Sequence, residues 1–259
     1  MLGPILFILF INDLDQNVLS TILKFADDTK LIGLVDTVEN VRRLQNDLQQ
    51  LFSWSNDWLM LFNADKCAVM HFGYNNRKEE LKLGEVVLNV SREEKDLGVI
   101  IQDDLKVSKQ CAKAASSANR MLGMIKRNFV FTDKEVVLPL FKTLVRPHLD
   151  YCIQAWRPHL VKDIERLERV QRRATKMVDG LSGMMYEDRL KELSLTKFET
   201  RMLRADLIEV FKIFNGLDGL DWERFFVLRG GNTRGHSLKL YKERFSVDVG
   251  KYLFANRIC

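Results

Sequence analysis

The stretch Thr21-Ile22-Leu23-Lys24-Phe25-Ala26-Asp27-Asp28-Thr29-Lys30-Leu31-Ile32 decides how the first part of this chain folds. Apolar runs flank the adjacent carboxylates Asp27 and Asp28, and the pattern predicts two short strands over 21–35 hinged near the pair. Two carboxylates in an apolar stretch are costly to bury unless a cation pairs with them. One interpretation is a divalent metal at the tip of a β-hairpin, because hard cations such as Mg²⁺ take oxygen ligands. The other is an ordinary Asp-Asp turn.

Composition places the chain among globular proteins. It has 259 residues, 46% apolar and 29% charged, which suits one large domain or two ordinary ones and excludes a disordered chain. The cysteines and histidines are scattered, and no two cysteines form a C-x-x-C pair. This pattern argues for a reducing compartment and against a disulfide framework or zinc site.

The apolar start of the chain resembles a secretory signal only superficially. It lacks a positive n-region, its apolar run is short, and no small-residue cleavage site follows. No segment reaches the ~18–20 apolar residues of a membrane span. We expect an intracellular chain that is not secreted and does not enter a membrane. The chain begins directly with an apolar run that we expect to be buried, and we interpret this as a domain that has lost the part preceding it.

The first half of the chain divides into short predicted elements. Residues 4–14 are typical of a buried helix with Pro4 in its first turn. A second helix is predicted from a cap at Asp36, with Glu39 three residues on, through about residue 60. Strands are predicted at 68–72, 86–90 and 97–101.

From about residue 106 the pattern becomes helical. Thr132 and Glu135 form a capping box for the second of five predicted helices, and Pro139 is expected to kink that helix. The tail after residue 216 is weakly patterned, so little order is predicted there. The five helices cover 108–127, 133–146, 162–179, 186–193 and 197–215.

Charge follows the same division. Residues 1–105 hold 10 Lys and Arg against 17 Asp and Glu, whereas residues 106–259 hold 30 against 18. The basic half suits a polyanion, although a solvated basic helical surface explains it equally. We therefore predict an α+β chain with a domain at 1–105, a basic helical domain at 106–215 and a poorly ordered extension at 216–259.

An ordered set of motifs resembles the reverse transcriptase (RNA-directed DNA polymerase) of non-LTR, LINE-type (jockey-like) retrotransposons, from the late palm onward. The resemblance covers nearly the whole chain. The set comprises Leu2-Gly3-Pro4, Phe7, Ile11-Asn12-Asp13-Leu14, Phe25-Ala26-Asp27-Asp28-Thr29, Trp58, Phe62-Asn63, Lys66-Cys67, Lys95-Asp96-Leu97-Gly98-Val99, Leu122-Gly123, Tyr151-Cys152, Trp156, Gln171-Arg172-Arg173-Ala174 and Thr233-Arg234-Gly235-His236.

The resemblance implies part of a right-hand polymerase, with a palm of antiparallel sheet and helices followed by an all-α thumb. Its partners would be an RNA template and a DNA primer, and two Mg²⁺ ions would serve the nucleotidyl transfer. Asp27 matches the family's catalytic, metal-binding carboxylate, and Asp28 is its supporting neighbour. Phe25 and Ala26 would lie close to the primer end.

Two further palm positions carry alternatives. Lys66 matches a lysine that is a candidate general acid for the departing pyrophosphate, but it also reads as a surface lysine after a strand. Leu97 and Gly98 match the hairpin that grips the primer, and the alternative for Gly98 is a plain strand glycine.

The predicted helix at 162–179 carries cations around an apolar stripe, a pattern suited to phosphates. The alternative is a helix stabilised by its own charge pairs. Lys126 and Arg127, at the end of the first helix of this half, are further candidates for nucleic-acid contact. The cations of the 162–179 helix are Arg166, Arg169, Arg172, Arg173 and Lys176.

The resemblance also indicates missing parts. The family's palm uses another metal-binding aspartate upstream of the hairpin, and its fingers precede that point, so a fragment that is inactive alone is expected. Its partner would be the missing N-terminal part of the same polyprotein. Two other interpretations stay open: a non-catalytic nucleic-acid-binding module, and a transposon relic without function. A nuclear location follows only from where such elements copy themselves.

Overall fold

The computed structural model describes residues 2–229 and 239–258. The Thr233-Arg234-Gly235-His236 motif lies outside the described residues. The protein divides into two compact units, Met1–Glu94 with Gln102–Asp104, and Lys95–Ile101 with Leu105–Cys259. Helices and short strands are mixed, as expected for an α+β chain. In the described part of the chain, no helix is long and apolar enough to cross a lipid bilayer.

The first unit alternates short strands with one long helix. β1 pairs with β2 and β4 with β5 in antiparallel fashion, whereas β3 pairs with β6 in parallel. We expected one antiparallel sheet, but the described strands pair only in twos. The elements are α1 (Leu2–Phe10), β1 (Thr21–Phe25), β2 (Asp28–Ile32), α2 (Val38–Asp57), a 3₁₀ turn (Ala64–Lys66), β3 (Ala68–Val69), β4 (Lys82–Leu83), β5 (Val86–Val87) and β6 (Asn89–Val90).

The first helix is shorter and more exposed than predicted. α1 ends at Phe10, and turns continue the chain to Asn17. Ile11 and Leu14 in these turns are buried, but no described side chain of α1 is. The prediction of a buried helix was therefore wrong about burial. An apolar run is buried only where another element covers it, and the exposed side chains of this run are Leu2, Ile5, Leu6, Ile8 and Leu9.

α2 begins one residue later than its predicted cap. The Thr37 side chain accepts a hydrogen bond from the Asn40 backbone N–H at 3.1 Å, and the extended backbone of Thr37 suits an N-cap. Asp36 instead accepts from the Asn40 side-chain amide at 2.6 Å. That bond is the main reason that the pKa of Asp36 is lowered. The predicted cap at Asp36 was therefore wrong.

β7 (Glu93–Asp96) and β8 (Val99–Gln102) form a hairpin that contributes residues to both units. The second unit continues as helices around one apolar core, whose largest fully buried side chains include Trp156, Phe141 and Phe198. The helices are α3 (Ser108–Asn128), α4 (Lys134–Leu140), a π-helical turn (Phe141–Val145), α5 (Pro147–Asp150), α6 (Ile153–Trp156), α7 (Val161–Lys176), α8 (Tyr186–Glu192), α9 (Phe198–Phe214), a 3₁₀ turn (Trp222–Arg224), α10 (Asp248–Tyr252) and α11 (Phe254–Ile258).

The start of α4 differs from its prediction by one residue, and its end shows the effect of proline. Asp133 caps the helix by accepting from the Val136 N–H at 3.0 Å, while the Thr132 hydroxyl donates to Asp179 at 2.8 Å. The predicted cap at Thr132 was therefore wrong. Pro139 has no N–H to donate, and just beyond it the helix widens into the π-helical turn.

The end of the chain contains more structure than predicted. We expected little order after residue 216, but α10 and α11 lie within the described residues. Arg257 of α11 forms a two-point ion pair with Asp206 of α9, at 2.7 Å and 3.0 Å. Asp206 is completely buried and also pairs with Arg157 at 2.5 Å. These bonds fix the last described helix to the helical core.

Candidate active site and nucleic-acid interface

The hairpin β1–β2 presents both candidate carboxylates at its tip. Phe25 pairs with Asp28 across the hairpin, which leaves Ala26 and Asp27 as the two-residue loop. Ala26 adopts a left-handed φ of 51°, a conformation that tight two-residue loops require. Asp27 and Asp28 are exposed, as is the Phe25 ring. The predicted strands and hinge are therefore confirmed, and the carboxylates are accessible from solvent.

A buried carboxylate fixes the start of this hairpin. Asp47 of α2 is 2% exposed and accepts hydrogen bonds from the backbone N–H groups of Leu19 and Ser20, at 3.0 Å and 2.8 Å. A carboxylate that accepts two backbone donors is well satisfied despite burial. Gly33, at the other end of the hairpin, lies so close to α2 that a Cβ there would be 2.9 Å from Leu44. α2 therefore holds both ends of the hairpin.

A lysine within β1 ties the hairpin to the segment after α1. The Lys24 ammonium donates to the backbone oxygens of Ile11 and Asn12, at 3.3 Å and 3.0 Å, and to Asp15 at 2.9 Å. The hydrogen bond from Lys24 is the main reason that the pKa of Asp15 is lowered. Cations stabilise the carboxyl end of a helix, where backbone oxygens lack partners. Lys24 thus links the hairpin to the Ile11–Leu14 motif.

Sequence reasoning missed both Lys24 and Asp47 as supports of the candidate site. Asp47 had a readable signal, because it lies on the same face of α2 as Leu44 and Leu51 and is therefore a charged residue in an apolar stripe. Lys24 had none, since its partners are defined only by the folded chain. Asp13 likewise gains a role, because it accepts a hydrogen bond from the Trp54 indole at 3.1 Å.

The carboxylates of the tip have the right chemistry for Mg²⁺ but not the right number. Asp27 and Asp28 offer oxygen ligands, which Mg²⁺ prefers. In the described ranges, no three His, Cys, Asp or Glu side chains come together as a metal site would require. The described residues therefore do not complete a two-metal centre.

Lys66 lies on a separate element from the hairpin. It ends the 3₁₀ turn Ala64–Lys66, and its side chain is exposed. Among the described residues, no hydrogen bond or ion pair joins Lys66 to Asp27 or Asp28. A role for Lys66 as a general acid thus stays a prediction.

Leu97 and Gly98 form the turn between β7 and β8. Both have left-handed backbones, with φ of 43° and 90°, as a tight two-residue hairpin loop requires. Leu97 oxygen accepts from the Tyr151 hydroxyl at 2.8 Å, and Gly98 oxygen accepts from the Lys113 ammonium at 2.7 Å. The alternative of a plain strand glycine at Gly98 is excluded by this conformation.

α7 separates its apolar and cationic residues cleanly. Leu167, Val170 and Ala174 are buried in the core of the second unit. The opposite face is exposed and contains a single acidic residue, Glu165. With a rise of ~1.5 Å per residue, this face extends over about 21 Å. Its cations, which we call the α7 cationic face, are Lys162, Arg169, Arg172, Arg173 and Lys176.

The members of the α7 cationic face keep donors for a ligand. Arg173 donates one hydrogen bond to the side-chain oxygen of Asn119 at 3.0 Å. The guanidinium carbon of Arg172 lies 5.0 Å from the centre of the Tyr186 ring, and this contact does not use the N–H groups of Arg172. Arg166 differs, because its guanidinium is bound to buried Asp163 at 3.2 Å and to the Ser108 oxygen at 3.4 Å. The structure thus gives Arg166 a partner within the protein.

The end of α3 extends this basic surface. Ser108 bonds to Asp163 near the starts of α3 and α7, and Asn119 bonds to Arg173 further along both helices. The two helices therefore run in the same direction, and their carboxyl ends lie on the same side of the unit. Lys126 and Arg127, in the last turn of α3, are exposed there.

Comparison with known families adds an independent observation. Residues 1–124 match the family model described as reverse transcriptase (RNA-dependent DNA polymerase). The matched segment includes the Asp27–Asp28 hairpin, Lys66 and the Leu97–Gly98 turn, and it ends within α3. Comparisons with curated proteins and with solved structures return no match. Members of the matched family bind a nucleic-acid template and primer and generally use divalent metal ions.

Proposed function

We propose that this chain is the late palm and thumb-like portion of the RNA-directed DNA polymerase of a non-LTR, LINE-type retrotransposon. Asp27 and Asp28 are two of its Mg²⁺ ligands, and the Leu97–Gly98 turn contacts the primer. The helical unit binds the template–primer through the α7 cationic face. Such elements copy themselves at chromosomal sites, so the proposed location is nuclear.

One observation carries the proposal. The two exposed carboxylates occupy the tip of a tight hairpin inside the segment that matches the reverse transcriptase model. α2 fixes both ends of this hairpin, and Lys24 fixes it along β1. A chance Asp-Asp turn does not need contacts of this kind. Catalytic groups need this kind of fixed placement, because small displacements cost much of the rate.

We further propose that the 259-residue polypeptide does not polymerise by itself. Two-metal catalysis needs carboxylates that bridge both ions, and adjacent residues at one tip cannot supply the whole set. Purified protein given an RNA template, a DNA primer, deoxynucleotides and Mg²⁺ should therefore incorporate nothing above background. Sustained incorporation that Asp27→Asn abolishes would contradict this part of the proposal while supporting the assignment of Asp27.

A chimeric enzyme tests the assignment directly. The chain is joined behind the fingers and early palm of an active non-LTR reverse transcriptase, in place of that enzyme's own late palm and thumb. Metal stabilisation of the transition state is worth several kcal/mol, so Asp27→Asn should lower kcat by at least about a hundredfold. Asp57→Asn is the matched control, because Asp57 is exposed at the end of α2 and should leave kcat unchanged.

The outcomes separate clearly. An active chimera in which Asp27→Asn and Asp57→Asn have equal activity would refute the catalytic assignment. If Asp28→Asn has a smaller effect than Asp27→Asn, the supporting role of Asp28 is upheld.

A non-catalytic nucleic-acid-binding module is the second candidate, and the α7 cationic face favours it. This face is complete within the described chain, in contrast to the metal site. Its side chains expose cations but no aromatic ring, which favours contact with the phosphate backbone over stacking on bases. The two candidates share the binding step and differ in whether the chimera is active.

A further inference from the structure

The Leu97–Gly98 turn is held by side chains from the helical body of its own unit. Its two backbone oxygens accept from the Tyr151 hydroxyl and the Lys113 ammonium. Loop oxygens at a hairpin tip usually bond to water, since loops lie at the surface. Here both are occupied by protein donors, which fixes the side of the turn that faces the helices.

Further contacts make this attachment firm. The Ile100 N–H donates to the side-chain oxygen of Gln110 at 2.9 Å, and Gln110 and Val99 are both buried. Tyr151 is itself fixed, because its backbone oxygen accepts from the indole of buried Trp156 at 2.8 Å. The hairpin end and the helices therefore form one body.

The other side of the turn is available to a ligand. Leu97 is 40% exposed as a residue, and its left-handed backbone sets the direction of its side chain. Burial, with a smaller contribution from the nearby charge of Lys95, lowers the pKa of Lys113. The Lys113 ammonium is engaged by the Gly98 oxygen, so the exposed side of the turn lies beside the charge of Lys95, a setting that suits a phosphodiester backbone.

We infer that Tyr151 and Lys113 are positioning residues, which hold the Leu97–Gly98 turn as a fixed contact for the primer end of a nucleic-acid duplex. This inference rests on the proposed function, because it takes the turn to be the primer contact. It adds that Lys113 of α3 and Tyr151 set the position of this contact, which therefore belongs to the same compact unit as the α7 cationic face.

A purely structural role for these two side chains makes a different prediction. If they only stabilised the unit, their removal would lower stability and leave the place of primer contact unchanged. If they position the turn, their removal redistributes the contacts of the bound primer while the affinity, set by the α7 cationic face, changes little. Site-specific cross-linking distinguishes the two.

The experiment uses the full 259-residue chain and an RNA–DNA duplex with 4-thiothymidine as the primer's last nucleotide. Cross-linked peptides are identified by mass spectrometry, and Kd is measured on the same duplex. Tyr151→Phe removes only the hydroxyl, and Lys113→Met keeps the aliphatic chain. Tyr74→Phe and Lys142→Met are matched controls, because both residues are exposed and neither side chain has a hydrogen bond or ion pair in the described structure.

We expect the wild-type primer end to cross-link to the peptide that contains residues 97 and 98. Each positioning variant should lower that yield about fivefold, the worth of one hydrogen bond, with less than a twofold change in Kd. Lys113→Arg, which keeps a donor, should restore the yield. Faster hydrogen exchange of the 97–101 amides in Tyr151→Phe would support release of the turn.

Contrary results point to different failures. Unchanged yields in Tyr151→Phe and Lys113→Met, with wild-type cross-links at the turn, would refute the positioning role and leave the proposed function intact. Cross-links elsewhere, with tight binding, would refute the turn as the primer contact and the inference with it. Absence of any duplex binding would overturn both the inference and the proposed nucleic-acid partner.

Discussion

The α7 cationic face gives a quantitative prediction for nucleic-acid binding. Five exposed cations lie along about 21 Å of helix, and each cation that neutralises a phosphate releases condensed counterions. The slope of log K against log salt is about −0.9 per phosphate on a duplex, so five contacts give a slope of about −4.5. From 50 to 200 mM salt, the wild-type affinity should therefore fall about 500-fold.

Removal of two charges changes this slope by a known amount. We choose Arg169→Gln with Lys176→Gln, because neither side chain pairs with a carboxylate in the described structure. The slope should fall to about −2.7, and the same salt change should then weaken binding only about 40-fold. Fluorescence anisotropy of a labelled RNA–DNA duplex, titrated at four or more salt concentrations, measures both slopes.

A matched double variant controls for net charge. Lys142→Gln with Lys191→Gln removes two exposed cations of the same unit, from the π-helical turn and from α8. Its slope should remain close to the wild-type value. If both double variants lower the slope equally, binding follows overall charge and the α7 cationic face is not the interface. An unchanged slope in the α7 variant would refute the assignment outright.

Three further predictions concern stability and reactivity. Asp206→Asn leaves the guanidiniums of Arg157 and Arg257 without their carboxylate and should lower the free energy of unfolding, measured in urea, by about 3 kcal/mol. The control Glu209→Gln alters a partly exposed ion pair and should lower it by less than about 1 kcal/mol. Asp47→Ala removes the acceptor of two backbone N–H groups and should cost about 2 kcal/mol and speed hydrogen exchange at residues 19–21. Burial raises the pKa of the Cys111 thiol to about 12, so exposed Cys152 should react with iodoacetamide at pH 8 while Cys111 does not. The free energy of unfolding should also fall as the pH rises above about 9, because the Cys111 thiol then ionises in the unfolded chain but not in the folded one.

Local sequence patterns predicted the strands and helices whose own residues favour the structure that they adopt. The apolar runs of β1 and β2 flank a loop, and the stripes of α2, α3, α7 and α9 recur at helical spacing, so their positions followed within a few residues. The predicted helix caps were wrong where two capping residues are adjacent. Asp36 and Thr37 both suit an N-cap, and only the folded backbone selects between them.

Tertiary contacts explain what the patterns could not predict. Hydropathy marks α1 as apolar but not whether another element covers it. α10 and α11 are five residues each, too short for a periodic signal, and the pairing of Arg257 with Asp206 joins positions 51 residues apart. Lys24 supports the hairpin through contacts of the same kind, which no spacing in the sequence encodes, and the spacing that marks Asp47 as a charged residue in an apolar stripe does not name its backbone partners.

The two candidate sites differ in how far this chain alone can build them. A phosphate-binding face needs only exposed cations on a rigid helix, and α7 has both because its apolar stripe is packed into the core. A two-metal centre needs carboxylates from separate strands, and the hairpin offers one adjacent pair. Binding should therefore be separable from catalysis: the same polypeptide should bind an RNA–DNA duplex with a steep salt dependence and still leave the primer unextended.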